Sequence, residues 1–219
     1  MNFQNIMNFL PGVIIGLTLH EYCHAMAAYK LGDKTARDMG RMTFNPLKHI
    51  DPIGFIFILI AGFGWAKPVQ FNPANLRYPR RDKAIIAAAG PLSNLILALV
   101  FIAIVRGWIA AVSNPSFDAE QNSIFNILVS SHFIGFMTIV YFSAMINLGL
   151  FIFNLLPLPP LDGSHIVFSG LNLSRETEYM IMKIGAPALF IIIIVQNFTG
   201  LTILPIGRLI SLILRLLMP

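Results

Sequence analysis

Long apolar runs dominate this chain and leave few folds open to it. Of its 219 residues, 56% are hydrophobic and only 11% are charged, and the mean hydropathy is +0.74. Soluble domains carry about 25% charged residues, so the composition excludes an ordinary soluble protein. No run alternates apolar and polar residues as the strands of a membrane β-barrel do. The sequence therefore predicts an all-α, polytopic membrane helical bundle.

The apolar runs form about five to six hydrophobic segments. Four of them approach or exceed the roughly 20 residues that a helix needs to cross a bilayer, and they lie at 6–31, 84–105, 132–156 and 178–196. The segment 52–65, of about fourteen residues, is too short to cross and is expected to form a re-entrant or hairpin segment after the first helix. The tail 201–218 is either an interfacial helix or a last, tilted span. We expect one domain over 1–219, with its core at 6–171 and accessory helices at 178–218.

Basic residues are concentrated on one side of the predicted bundle. The stretch 30–83 holds ten of the fifteen Lys and Arg residues, whereas 107–131 contains Asp118 and Glu120 and no Lys or Arg. By the positive-inside rule, 30–83 faces the cytoplasm and 107–131 faces the outside. The chain is therefore expected to be a multi-pass protein of the cytoplasmic membrane. The charge of +5 indicates this topology and gives no reason to expect a nucleic-acid partner.

The stretch HEYCH, from His20 to His24, places ionisable residues inside the first apolar run. In a helix, His20 and His24 project from one face and can bind one zinc ion, while Glu21 lies about 100° round, where it can address a water molecule. Inserting an ionised group at the centre of a membrane helix costs roughly 2.5–3.5 kcal/mol of free energy. A polar helix face that is merely packed inside the bundle, without a function, is therefore the weaker explanation. The single cysteine, Cys23, excludes a thiolate cluster. The pattern is typical of a metallohydrolase.

Two further polar residues are expected at the depth of these histidines. His20 lies about 16 Å along its helix from Leu31 at the cytoplasmic end, and Asn94 lies a similar distance from Lys83. Asp162 follows the third crossing in a Pro-rich turn that can bring the next helix back into the bundle, where it would be the third ligand of a zinc site with an open fourth position. Asn94 either donates its side-chain N–H towards a developing oxyanion or hydrogen-bonds another helix.

Several motifs together resemble the site-2 protease family of intramembrane zinc metalloproteases. They are HEYCH at 20–24, AGPLSN at 89–94 and NLLPLPPLDG at 154–163, with NPLKHIDPIG at 45–54 and GWAKPV at 64–69 resembling the small bacterial and archaeal branch. The motifs occur in the order found in the family, from His20 to about Leu171. The HExxH motif alone would be weak evidence, but the combination is specific.

The resemblance implies a mechanism and a set of site residues. His20, His24 and Asp162 would bind one zinc ion per chain, Glu21 would be the general base, and Asn94 would help to stabilise the transition state. The implied substrate is a membrane protein, whose peptide bond is cleaved within or near a transmembrane helix. The active site would face the cytoplasmic side of the membrane, and membrane lipid would surround it.

The chain departs from the family pattern at two places. Many members have Gly where this chain has Cys23, and Gly often follows the Asp-Gly pair where this chain has Ser164 and His165. Cys23 is best explained as an inert buried cysteine. His165 lies one helical turn beyond Asp162, so it is a candidate partner of a metal ligand, a competing ligand or a helix-surface residue.

The segment GFGWAKPV is the candidate substrate-binding element. A substrate helix must unwind locally before its backbone can be attacked, and an extended segment containing Gly64, Trp65, Lys67 and Pro68 could pair with the unwound chain. The alternative is a plain interfacial turn anchored by Trp65 and Lys67.

Other functions use the same types of residue. A membrane transporter or proton pathway could relay protons or a metal ion through His20, Glu21, His24 and Asp162. The absence of an internal repeat weakens that alternative. A third alternative is a family member that has lost catalysis and only binds helices. The presence of Glu21, the expected general base, argues against it. The sequence leaves open the substrate, its cleavage position, the oligomeric state and the activating signal.

Overall fold

The computed structural model describes residues 3–61, 64–114, 123–171 and 173–218. Over these residues the chain is helical and contains no strand beyond an isolated antiparallel bridge between Ile50 and Ala66. The α-helices are α1 (Phe3–Lys30), α2 (Thr35–Asp38), α3 (Pro52–Ala61), α4 (Pro79–Val112), α5 (Ser123–Leu128), α6 (Ser131–Asn154), α7 (Asp162–Gly170), α8 (Arg175–Thr199) and α9 (Ile206–Leu217). The predicted all-α class is confirmed.

Within the described residues, four helices are long and apolar enough to cross a membrane. They are Ile6–Lys30, Pro79–Val112, Ser131–Asn154 and Glu176–Thr199, and each contains most of one of the four long predicted runs. Helices α3 and α9, of 10 and 12 residues, are shorter than a span, so the count of five to six membrane segments and the re-entrant course of 52–65 stay predictions. Residues 62 and 63 of that segment, and Asp118 and Glu120 of the predicted outer loop, lie outside the described residues.

Helices α1, α4 and α6 form the centre of the bundle, and small residues let α1 and α6 approach closely. Gly12 and Gly16 are four residues apart and face α6. A Cβ on Gly12 would lie 2.6 Å from Ser143 Cα, and one on Gly16 would lie 2.5 Å from Asn147 Oδ1. Close packing through small residues at this spacing is common between membrane helices.

Helix α9 packs on the other side of α4 and α6. Leu214 is buried in a cluster that contains Ala98 and Ile102 of α4 and Ala144 and Leu148 of α6. These contacts cover one face of α9, whereas Arg208 and Arg215 lie on its exposed face and line a cavity of about 390 Å³. The helix is therefore amphipathic, with its apolar side turned to the bundle.

A buried carboxylate ties the loop after α1 to the segment before α4. Asp33 accepts hydrogen bonds from the N–H and hydroxyl of Thr35, from Asn72 N–H and from Asn75 Nδ2. Burial by itself raises the pKa of the Asp33 carboxyl, but the hydrogen bonds outweigh this effect and hold the pKa below its ordinary value. An ionised Asp33 thus fixes residues 72–75 against the end of α1.

Candidate metal centre

Three ligand atoms converge in the interior of the bundle. The Nε2 atoms of His20 and His24 are 3.0 Å apart, and they lie 3.1 and 3.4 Å from Asp162 Oδ2. Four ligands placed tetrahedrally at about 2.0–2.1 Å from a zinc ion are about 3.3–3.4 Å apart. The three atoms therefore have the mutual spacing that one such ion requires. The structure brings together all three of the ligands predicted from the sequence.

Hydrogen bonds on the far side of each imidazole determine which nitrogen faces this point. His24 Nδ1 lies 2.7 Å from Ile86 O, and His20 Nδ1 lies 2.6 Å from Asn94 Oδ1. Both oxygens accept, so each Nδ1 donates its hydrogen, and each Nε2 carries a lone pair. Asp162 Oδ2 is buried and has no hydrogen-bond partner among the described residues. A buried group of three lone-pair donors with no hydrogen between them suits a cation.

The face of α4 that is turned towards the two histidines leaves space for an ion. Ile86, Gly90 and Asn94 are four residues apart and therefore lie on one side of the helix. Ile86 and Asn94 bind the two imidazoles, and Gly90 lies between them. A Cβ on Gly90 would lie 2.6 Å from His20 Nε2 and closer still to His24 Nε2. Only a residue without a side chain leaves the ligand atoms accessible from this direction.

The turn between α6 and α7 delivers the third ligand. It contains Pro157, Pro159 and Pro160, which cannot continue a helix in this direction. Asp162 begins α7, and Gly163 packs against the carbonyl groups of the two residues that follow α6, where a Cβ would collide with the oxygens of Leu155 and Leu156. The chain can reverse here because position 163 has no side chain.

Glu21 lies beside the ligands and is held by the backbone of another segment. Its side chain is buried, and Oε2 accepts a 2.7 Å hydrogen bond from Val69 N–H. The segment that contains Val69 is itself fixed, because Lys67 N–H donates to His49 O and the buried Arg41 guanidinium donates to Lys67 O. A carboxylate in this place can accept a proton without binding the ion as a ligand.

Asn94 is placed differently from the oxyanion role expected of it. It is fully buried, and its Nδ2 donates both to Gly16 O at 3.1 Å and to Asn147 Oδ1 at 3.0 Å. With both amide hydrogens engaged and Oδ1 on His20, these hydrogen bonds are those of the alternative, contact between helices. An oxyanion role stays a prediction that would need Asn94 to exchange a partner.

His165 and Cys23 lie near the centre but outside its group of ligand atoms. His165 Nδ1 is buried with no hydrogen-bond partner among the described residues. Burial lowers the pKa of His165 to about 4, so the imidazole is neutral at neutral pH. Cys23 is only partly buried, whereas the sequence predicted a buried cysteine.

The four residues expected to contact substrate lie on an exposed stretch next to Glu21. Gly64, Trp65, Lys67 and Pro68 are all exposed, and the Trp65 ring lies against Phe57. The sequence did not indicate Gly90, Asn147 or Arg41 individually as parts of the site, nor the contact between Val69 N–H and Glu21. For Asn147 a signal was available, because a polar residue within an apolar span needs a partner.

Comparisons with known proteins place these residues in a family. A family model described as peptidase family M50 matches residues 8–193. The "Putative zinc metalloprotease YwhC" of Bacillus subtilis is 43% identical over 155 residues, which are 71% of this chain and 65% of that protein. The "Putative zinc metalloprotease Rip2" of Mycolicibacterium smegmatis and that of Mycobacterium tuberculosis are 28% and 26% identical over 159 residues, 70% of this chain and 53% of each relative.

The chain thus spans less than two thirds of the length of these relatives. No solved structure matches it. The family model begins before His20 and ends beyond Asp162, so the match includes every residue of the metal centre. The chain belongs to peptidase family M50, the site-2 protease family.

Proposed function

We propose that this protein is a zinc metallopeptidase that hydrolyses a peptide bond within or near a transmembrane helix of a membrane-protein substrate. The observation that carries the proposal is the convergence of His20 Nε2, His24 Nε2 and Asp162 Oδ2, with Glu21 beside them, inside an apolar bundle. Membership of a peptidase family supports hydrolysis over transport. The relatives named as zinc metalloproteases support zinc as the ion.

His20, His24 and Asp162 would hold one zinc ion. When bound, it supplies Lewis acidity that polarises a peptide carbonyl and acidifies water. Glu21 takes a proton from the attacking water molecule and passes it to the leaving amine nitrogen. The Val69 N–H holds one carboxylate oxygen of Glu21 and so leaves the other available for the proton.

The extended segment around Lys67 is the proposed substrate platform. Three backbone groups of this segment point to one edge: Lys67 N–H donates to His49 O, and Lys67 O accepts from Arg41. Val69 N–H donates to Glu21. Because successive residues of an extended chain direct their backbone groups to opposite edges, Pro68 O faces the other edge. A substrate strand paired there would run beside the segment whose other edge holds Glu21. Photo-cross-linking from position 65 tests this, and a substrate that never cross-links there would remove the platform from the proposal.

The proposed arrangement is one membrane-embedded domain, with its core at 6–171 and accessory helices at 178–218. The described part of the chain supports this division, because the ligands, Glu21 and Asn94 all lie within the core. The site is proposed to face the cytoplasmic side of the cytoplasmic membrane, since the basic stretch 30–83 contains the loop that covers Glu21.

One experiment separates this function from the transporter alternative. Wild type and Glu21→Gln are reconstituted in vesicles with single-span reporter proteins whose membrane helices carry central Gly residues, which weaken a helix. Gln keeps an oxygen for Val69 N–H but cannot act as a base. We expect both proteins to hold about one zinc per chain, and only wild type to cleave. Zinc or proton flux without cleavage of any reporter would support the transporter instead.

A further inference from the structure

A chain of buried side-chain amides runs from the centre of α6 to the metal centre. Asn147 is fully buried in the middle of α6, in a span that is otherwise largely apolar. Its Oδ1 lies 3.0 Å from Asn94 Nδ2, and Asn94 Oδ1 lies 2.6 Å from His20 Nδ1. A polar group buried in a membrane protein is stable when another group hydrogen-bonds to it. The hydrogen bonds from Asn147 through Asn94 to His20 therefore have to be considered together.

Backbone carbonyl groups determine the orientation of Asn147. Its Nδ2 lies 2.8 Å from Ser143 O and 3.3 Å from Gly12 O. Carbonyl oxygens can only accept, so the amide nitrogen must face them, and Oδ1 must face Asn94. The absence of side chains on Gly12 and Gly16 is what lets α6 bring Asn147 this close to α1.

The orientation of Asn94 follows from that of Asn147. Its nitrogen faces two acceptors, Gly16 O and Asn147 Oδ1, so its own Oδ1 faces His20. His20 Nδ1 must therefore carry the hydrogen of the neutral ring, and Nε2 is left with the lone pair that a metal ion needs. In the opposite tautomer, the hydrogen would lie on Nε2 and would block the ligand position.

We propose that Asn147 is a positioning residue of the metal centre, which acts through Asn94 to hold His20 in the tautomer that binds metal. The inference rests on the proposed zinc site and adds to it a residue on α6. Metal ligands are commonly oriented by a hydrogen-bond partner of their second nitrogen, and loss of such a partner lowers metal affinity about 10–100-fold. Asn147 is one step further away, so about tenfold is expected.

A double-mutant cycle tests whether Asn147 acts through Asn94. Zinc affinity is measured by competition with a chelator in detergent for wild type, Asn147→Leu, Asn94→Leu and the double variant. We expect Asn147→Leu to lower affinity about tenfold in the wild-type background and less than about twofold in the Asn94→Leu background, because the route to His20 is already broken. A residue that only fills space would cost the same in both.

Ser143→Ala is the matched control, because Ser143 is buried one turn before Asn147, alanine keeps its carbonyl group, and among the described residues its hydroxyl bonds only to Ile139 O of α6. It should keep the wild-type affinity. If Asn147→Leu proves unstable, Asn147→Ala removes the same amide without added bulk, and the same cycle applies.

A second readout needs no metal. In the metal-free protein, nitrogen-15 NMR of labelled histidine should show His20 with its hydrogen on Nδ1, and Asn147→Leu should increase the form with hydrogen on Nε2. Equal zinc losses in both backgrounds, or an unchanged His20 tautomer, would overturn the inference while leaving the zinc site intact. Wild type that binds no zinc would instead contradict the proposed function.

Discussion

One stripe of residues on α1 contains both the glycines that pack against α6 and two of the three proposed metal ligands. Gly12, Gly16, His20 and His24 follow one another at four-residue spacing and lie along one side of the helix. The two glycines admit α6, and the two histidines face α4, where Asn94 and Ile86 bind their Nδ1 atoms. At the residue scale, the glycines that pack against α6 are therefore followed directly, along the same helix, by the histidines of the proposed metal centre.

Substitution of Gly90 tests the space between the histidines. Gly90→Ala would place a Cβ within 2.6 Å of His20 Nε2, so we expect zinc content to fall close to zero. Helicity should not suffer, because Ala favours a helix by about 1 kcal/mol relative to Gly. Gly107→Ala in the same helix is the control, since a Cβ there meets no atom of the described residues within 4 Å. Metal analysis of the purified variants decides the point, and full zinc content in Gly90→Ala would contradict this account.

The identity of the third ligand is a separate prediction. Asp162→Ala leaves two imidazoles and should release zinc at modest chelator concentration. His165→Ala should lower affinity by about 10–100-fold at most, because His165 lies beyond the ligand atoms. A chelator titration of both variants compares them. Retention of zinc by Asp162→Ala together with its loss from His165→Ala would show that the ligand assignment is wrong.

At the scale of elements, a segment without regular secondary structure positions Glu21, the proposed general base. Arg41 and His49 hold Lys67, and two residues later Val69 N–H reaches Glu21. Asp33 fixes the same segment further along through Asn72 N–H. The loop between α1 and α4 is thus part of the site.

Proline at position 69 removes the N–H that holds Glu21. Hydrogen bonds to charged groups contribute about 1.5–3 kcal/mol, so Val69→Pro should lower kcat about 10–100-fold while zinc content stays unchanged. Val69→Ala keeps the N–H and should retain activity near that of wild type. Steady-state cleavage of a reporter substrate measures both. Equal activity of the two variants would mean that this hydrogen bond does not position the base.

At the scale of the whole molecule, four helices among the described residues are suited to cross the bilayer, and the basic loop that covers Glu21 joins two of them. Helix α6 and the Pro-rich turn then return the chain to α7, which packs against α4. The ligands therefore come from two parts of the chain separated by more than a hundred residues.

Thiol labelling tests the orientation of this arrangement. In a Cys23→Ser background, Lys48→Cys and Ile127→Cys each place one thiol on an exposed residue, the first in the basic loop and the second in α5. In right-side-out vesicles, a membrane-impermeant reagent should label position 127, and position 48 only after the membrane is opened. The reverse pattern would place the active-site loop outside.

The sequence by itself determined the all-helical class and the four long apolar runs, and it indicated the candidate metal ligands. These follow from properties that are local in the chain: the length of an apolar run, and the shared helix face of residues four apart. In the structure the ligand atoms of His20, His24 and Asp162 lie close together, as the sequence predicted. Asp162 came from its position in the Pro-rich turn after the third crossing and from the family motif, because no periodicity near His20 could supply it.

Only the tertiary structure decided which partners these residues have. His24 meets Ile86, Asn94 meets Asn147, and Glu21 meets Val69 across 62, 53 and 48 positions of the chain. Such pairs depend on how closely helices pack and on which backbone groups are left free, and no local pattern encodes either. The amide of Asn94 shows the difference most clearly: the sequence indicated a donor at the right depth, and the packing of three helices gave both of its hydrogens to Gly16 and Asn147 and its oxygen to His20.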